Sequence, residues 1–91
     1  MYRITNADLK NDVDLINETT GSPLKPWTRD DNGRNKANIG NYHISGAYGG
    51  VCLHQIVNES GGVRDVFSCG HIPKRELHNQ MRAFLRGLEI N

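Results

Sequence analysis

Ninety-one residues carrying eleven basic and ten acidic side chains, at 36% hydrophobic content, make room for one domain with a modest core. The net charge of +1 excludes a bulk field that would draw the chain to nucleic acid, so any polyanion contact has to come from local segregation of charge. No segment approaches the ~20 consecutive apolar residues of a membrane-spanning helix.

The N-terminal residues Met1 to Asp8 contain no apolar run of signal-peptide length. With only Cys52 and Cys69 in the chain, the expectation is a cytosolic protein with free thiols. Thr5 or Asn6 supplies an N-cap, and Leu9, Val13 and Ile16 recur at helical spacing. Gly21 followed by Pro23 is a helix stop. The first helix is expected at about 6–19, with Lys10, Asp12, Asp14 and Glu18 facing away from the core.

Residues 20–36 read as an irregular loop with a turn at Asp30-Asp-Asn-Gly33, packed through Leu24 and Trp27. Strands are expected at about 37–45, 50–57 and 63–69, joined by the glycine-containing connections Gly46 to Gly50 and Asn58 to Gly62. The stretch Ile39 to Gly50 holds four glycines among two tyrosines and one histidine. That mixture suits a hairpin whose backbone lies close to a neighbouring element or to a ligand. Its spacing matches neither phosphate-binding loop nor dinucleotide fingerprint. Pro73 opens a last helix on which Leu77, Met81, Phe84, Leu85 and Leu88 form an apolar stripe. The predicted architecture over residues 1–91 is a single α+β domain. It is a three-stranded antiparallel β-meander with an N-terminal and a C-terminal helix (α-β-β-β-α) packed on one face.

Charge is segregated between the helices. Asp8, Asp12, Asp14 and Glu18 outnumber Lys10 on the first, while Arg75, His78, Arg82 and Arg86 recur at intervals of three, four and four on the last, with Lys74 at the shoulder. Such a face either meets phosphates or an acidic protein surface, or is the solvated side of an amphipathic helix. Trp27 with Lys25, Arg29, Arg34 and Lys36 makes a second candidate contact surface, or a core-anchoring tryptophan among ordinary surface charges. Cys52-Leu-His54 and Cys69-Gly-His71 place each Cys and His two apart, so strand pairing could bring four zinc ligands together. One intervening residue is short for a structural zinc pair, and both cysteines also suit a core in a reducing cytosol. No nucleophile with a base and an oxyanion hole is recognisable, so neither an enzyme nor a cofactor is expected.

The wording Thr20-Gly-Ser-Pro23, Asp31-Asn-Gly33, Ile39 to Gly50, Gly61-Gly-Val-Arg-Asp-Val66 and Pro73-Lys-Arg-Glu-Leu77 resembles small accessory proteins of tailed bacteriophages and prophages, over nearly the whole chain. The resemblance implies a non-enzymatic binder of host machinery, of which anti-CRISPR and other anti-defence inhibitors are examples. The expected partner is then a host protein or ribonucleoprotein in the host cytoplasm, a CRISPR surveillance complex first among them. Binding would contact guide RNA or occlude DNA through Lys74, Arg75, His78, Arg82 and Arg86, supported by Trp27, Arg29, Arg34 and Lys36. Two other readings stay open: a small DNA- or RNA-binding regulator, and a zinc-stabilised interaction domain.

Overall fold

A capping box starts the first helix: the Thr5 hydroxyl accepts the Asp8 amide, while the Thr5 amide donates to the Asp8 carboxylate at 2.8 Å. In the computed structural model, which describes residues 3–90, this helix, α1, spans Asn6–Thr20. It ends where Gly21 takes the left-handed conformation (φ 70°) and the Ser22 amide reaches back 2.8 Å to the Asn17 carbonyl, a Schellman ending. The elements that follow are β1 (Trp27–Arg29), β2 (Asn35–Ala37), β3 (Tyr42–Ala47), β4 (Gly50–Ile56), β5 (Val63–Asp65) and α2 (Lys74–Ile90).

The expected α+β meander forms from β3, β4 and β5, antiparallel throughout. Both helices lie on one face of it. Leu9, Val13 and Ile16 of α1 pack with Leu77, Met81 and Leu85 of α2 against Tyr42, Val51 and Leu53 of the sheet. Each such fully buried aliphatic side chain contributes about 1.5–3 kcal/mol relative to exposure. Among the described residues no helix is long and apolar enough to cross a membrane.

Three local readings are corrected. The 20–36 stretch is not an irregular loop throughout: β1 and β2 pair in register as a separate hairpin, Trp27 opposite Ala37 and Arg29 opposite Asn35. Asp30 organises its turn by accepting the amides of Asn32 and Arg34, and Gly33 supplies the left-handed residue (φ 77°). β3 begins at Tyr42 rather than at 37, because Ala37 and its neighbours belong to the small hairpin. β5 ends at Asp65, not 69, because the Asp65 carboxylate takes the Gly70 amide at 2.7 Å and turns the chain.

The glycine-tyrosine stretch resolves into a two-residue hairpin turn at Tyr48 and Gly49, both with positive φ (53° and 75°). The close backbone approach expected there is made by a neighbouring segment of the same chain. A Cβ on Gly50 would lie 2.9 Å from the His71 carbonyl carbon, where Val51 and Ile72 exchange two backbone hydrogen bonds. Of the two tyrosines, Tyr42 is buried against Phe84 while Tyr48 is fully exposed at the turn.

Candidate partner interface

On α2 the basic residues do not all lie opposite the apolar stripe. His78 and Arg82 each follow a buried residue (Leu77, Met81) by one position, a rotation of about 100°, so they flank the stripe. Both turn toward α1. His78 Nδ1 lies 2.5 Å from Asp12 Oδ2, and Arg82 Nη1 lies 3.6 Å from Asp12 Oδ1. Asp12, expected to face away from the core, is 3% exposed. A buried carboxylate requires partners, and α2 supplies them. Arg86 is exposed and borders a shallow depression with Leu15 and Glu89, and Lys74 and Arg75 are exposed at the start of α2.

The β1–β2 hairpin treats its cations differently. Lys25, Arg29, Arg34 and Lys36 are all exposed, and among the described residues none of them is in an ion pair. The strand register puts Trp27 and Arg29 on one face of the ribbon, and Arg34 and Lys36 on the other. The acids of the turn are Asp30, whose Oδ1 is held by backbone amides, and Asp31.

Two contacts fasten the ribbon at its base. The half-exposed Trp27 ring lies over Gly61 in the β4–β5 connection, so closely that a Cβ there would meet it at 2.6 Å. Asn38 Nδ2 donates to the Lys25 carbonyl and to the Thr28 hydroxyl, and the Asn38 amide donates to the Pro26 carbonyl. Trp27 thus acts as an anchor with one accessible face. The sequence names these residues but not their pairing, since the hairpin's strands are three residues long and too short to show a period.

The face of the sheet away from the helices carries His43, Ser45, Cys52 and His54, as the pairings His43–His54 and Ser45–Cys52 require. His71 joins them: its ring centroid is 6.2 Å from that of His54, and its Nε2 is 3.4 Å from Ser45 Oγ. Burial, and then the adjacent His54, hold the His43 imidazole below its ordinary pKa. Burial pushes the Cys52 thiol up to about 11, with the Asp65 carboxylate beside it adding to the shift. Burial and the Asp65 charge also raise Cys69, whose Sγ lies 3.7 Å from Gln80 Oε1. Cys52, His54, Cys69 and His71 therefore share a region, yet among the described residues no three His, Cys, Asp or Glu side chains converge as a metal-ligand set. No family model, curated protein or solved structure matches the chain.

Proposed function

We propose that this chain is a non-enzymatic binding protein that docks on a host defence ribonucleoprotein, with the β1–β2 hairpin as its contact arm. The observation that carries the reading is the set of four cations, Lys25, Arg29, Arg34 and Lys36, exposed and, among the described residues, in no ion pair, on a ribbon fastened at its base. Arginine forks match oxyanions, and the open face of Trp27 offers a stacking or apolar contact beside Arg29. His78 and Arg82 contribute less to binding than their spacing suggests, because they are engaged by Asp12. Lys74, Arg75 and Arg86 form a secondary basic edge.

A net charge of +1 gives little long-range attraction to free nucleic acid. It favours a partner that presents protein surface together with phosphate, and binding there blocks the surface that target nucleic acid or a moving subunit needs. The test is affinity capture from a bacterial host with the wild-type chain and with an Arg29→Glu, Arg34→Glu, Lys36→Glu variant, with and without nuclease. The wild type is expected to retain a nucleoprotein complex that the variant loses. Equal capture by both would remove the hairpin from the interface. Binding to naked DNA or RNA that falls steeply with salt would instead favour a direct nucleic-acid regulator.

A further inference from the structure

β3 is an outer strand of its sheet, and the register fixes which of its backbone groups point outward. The Asn41 carbonyl faces β4, where it accepts the Ile56 amide at 2.9 Å, so residues 43 and 45, next in that alternation, turn their amides and carbonyls toward β4. Residues 42, 44 and 46 turn theirs off the sheet. At Tyr42 the fully buried Asn17 side chain takes both groups: its Oδ1 accepts the Tyr42 amide at 2.9 Å and its Nδ2 donates to the Tyr42 carbonyl at 3.0 Å. One carboxamide there imitates a neighbouring strand. Ile44 and Gly46 have the same outward orientation. Among the described residues their amides and carbonyls meet no hydrogen-bond partner.

Beside this edge α1 and the chain before β1 leave a groove of about 450 Å³, walled by Leu9, Val13, Leu24, Pro26, His43 and Ile44. Neighbouring residues of a strand send their side chains to opposite faces, so a groove touching both His43 and Ile44 runs along the strand's edge. Leu24, on its wall, is 55% exposed. Lys25, between the wall residues Leu24 and Pro26, is in no ion pair among the described residues, whereas Lys10 on the α1 side is held by Asp14 at 2.7 Å.

We propose that this groove accepts an extended peptide segment of a partner protein as an added strand on β3. The segment hydrogen-bonds to Ile44 and Gly46, seats one large apolar side chain against Leu9, Val13 and Leu24, and carries an acidic residue toward Lys25. Two outward residues repeat about 6.7 Å apart, a spacing that an extended backbone reproduces. A second copy of this chain fits the edge poorly. Pairing β3 on β3 would offer only His43 and Ser45 on one face and Tyr42, Ile44 and Gly46 on the other, where Tyr42 and Ile44 pack into the core, so that strand brings no large exposed apolar side chain to the groove. The site shares Lys25 with the hairpin's basic set but uses none of Arg29, Arg34 and Lys36, so it stands without their role.

The test is selection from a randomised octapeptide library displayed on yeast, followed by hydrogen exchange with the enriched peptide. Enriched sequences are expected to place a large apolar residue next to an acid and to slow exchange at the Ile44 and Gly46 amides roughly tenfold or more. N-methylating the peptide residues that face β3 is expected to abolish binding, while methylating the alternate residues leaves it intact. Leu24→Glu, on an exposed side chain, is expected to weaken binding about tenfold with the fold unchanged. No enrichment, or binding that leaves Ile44 and Gly46 exchange unchanged, would overturn the proposal. So would protection of those two amides that appears without peptide and rises with protein concentration, because the edge would then belong to a second copy.

Discussion

His78 Nδ1 stands 2.5 Å from the carboxylate of Asp12, 66 residues earlier in the chain, and this contact joins the two helices beside the apolar core. Asp12 is almost wholly buried while Arg82, its second partner, is half exposed, so the two partners have unequal weight. His78→Ala is expected to lower stability by about 2 kcal/mol, the worth of a hydrogen bond to a buried charge. Arg82→Ala is expected to cost under about 1 kcal/mol, as solvent screens a half-exposed pair. Urea unfolding of the two variants checks the order. Equal losses would mean that the buried carboxylate is held by neither partner in particular.

Trp27 is the chain's single tryptophan, so its fluorescence reports on the base of the ribbon. Gly61 sits at φ 90° with the indole where its Cβ would be. Gly61→Ala is therefore expected to lift the ring off the β4–β5 connection and shift its emission to the red, with the far-ultraviolet dichroism of α1 and α2 retained. An unshifted spectrum would mean that the ribbon is not seated on Gly61.

Burial alone would raise the Asp65 carboxyl, but the amides of Gly70, Cys69 and Ser68 and the nearby Cys52 thiol outweigh it and hold it below the usual range. The folded carboxyl thus titrates below the unfolded one. Its stabilisation is complete above the unfolded value of about 4 and disappears as pH falls through the folded value. Asp65→Asn lacks this titration. The stability difference between wild type and variant is expected to narrow as pH is lowered below about 4, and a difference independent of pH would exclude the carboxylate charge as its source.

Cys52 is 1% exposed with its thiol raised to about 11, so very little thiolate exists at neutral pH and reagent cannot reach it. Cys69 is also raised but is only partly buried. Iodoacetamide at neutral pH is expected to modify Cys69 first and Cys52 only after unfolding, as read by peptide mass mapping. Rapid modification of Cys52 in the folded protein would contradict its burial.

The helices and the meander were legible because their signals are local. The Thr5 cap, the Gly21 stop and the spacing of Leu77, Met81 and Leu85 each act within a turn or two of chain. The β1–β2 ribbon was not legible, since Trp27–Arg29 and Asn35–Ala37 are too short for period-2 alternation. Its Asp30-to-Gly33 turn was read correctly as a turn, but not as one that closes a hairpin. The basic residues on α2 were visible by spacing, but their surroundings were not. A rotation of about 100° per residue tells that His78 and Arg82 share a face, not whether that face meets water or Asp12.

The glycine-tyrosine stretch marks the division. The sequence by itself determined that the 39–50 stretch contains a hairpin turn, because positive φ at the turn and strand alternation on either side are properties of the local chain. What lies against that hairpin was decided by tertiary structure alone: the 71–72 segment on Gly50, Asn17 on the outward groups of Tyr42, and an open groove beyond it at Ile44. Contacts between residues dozens of positions apart depend on how α1 and the sheet pack, and no spacing rule within one segment encodes them.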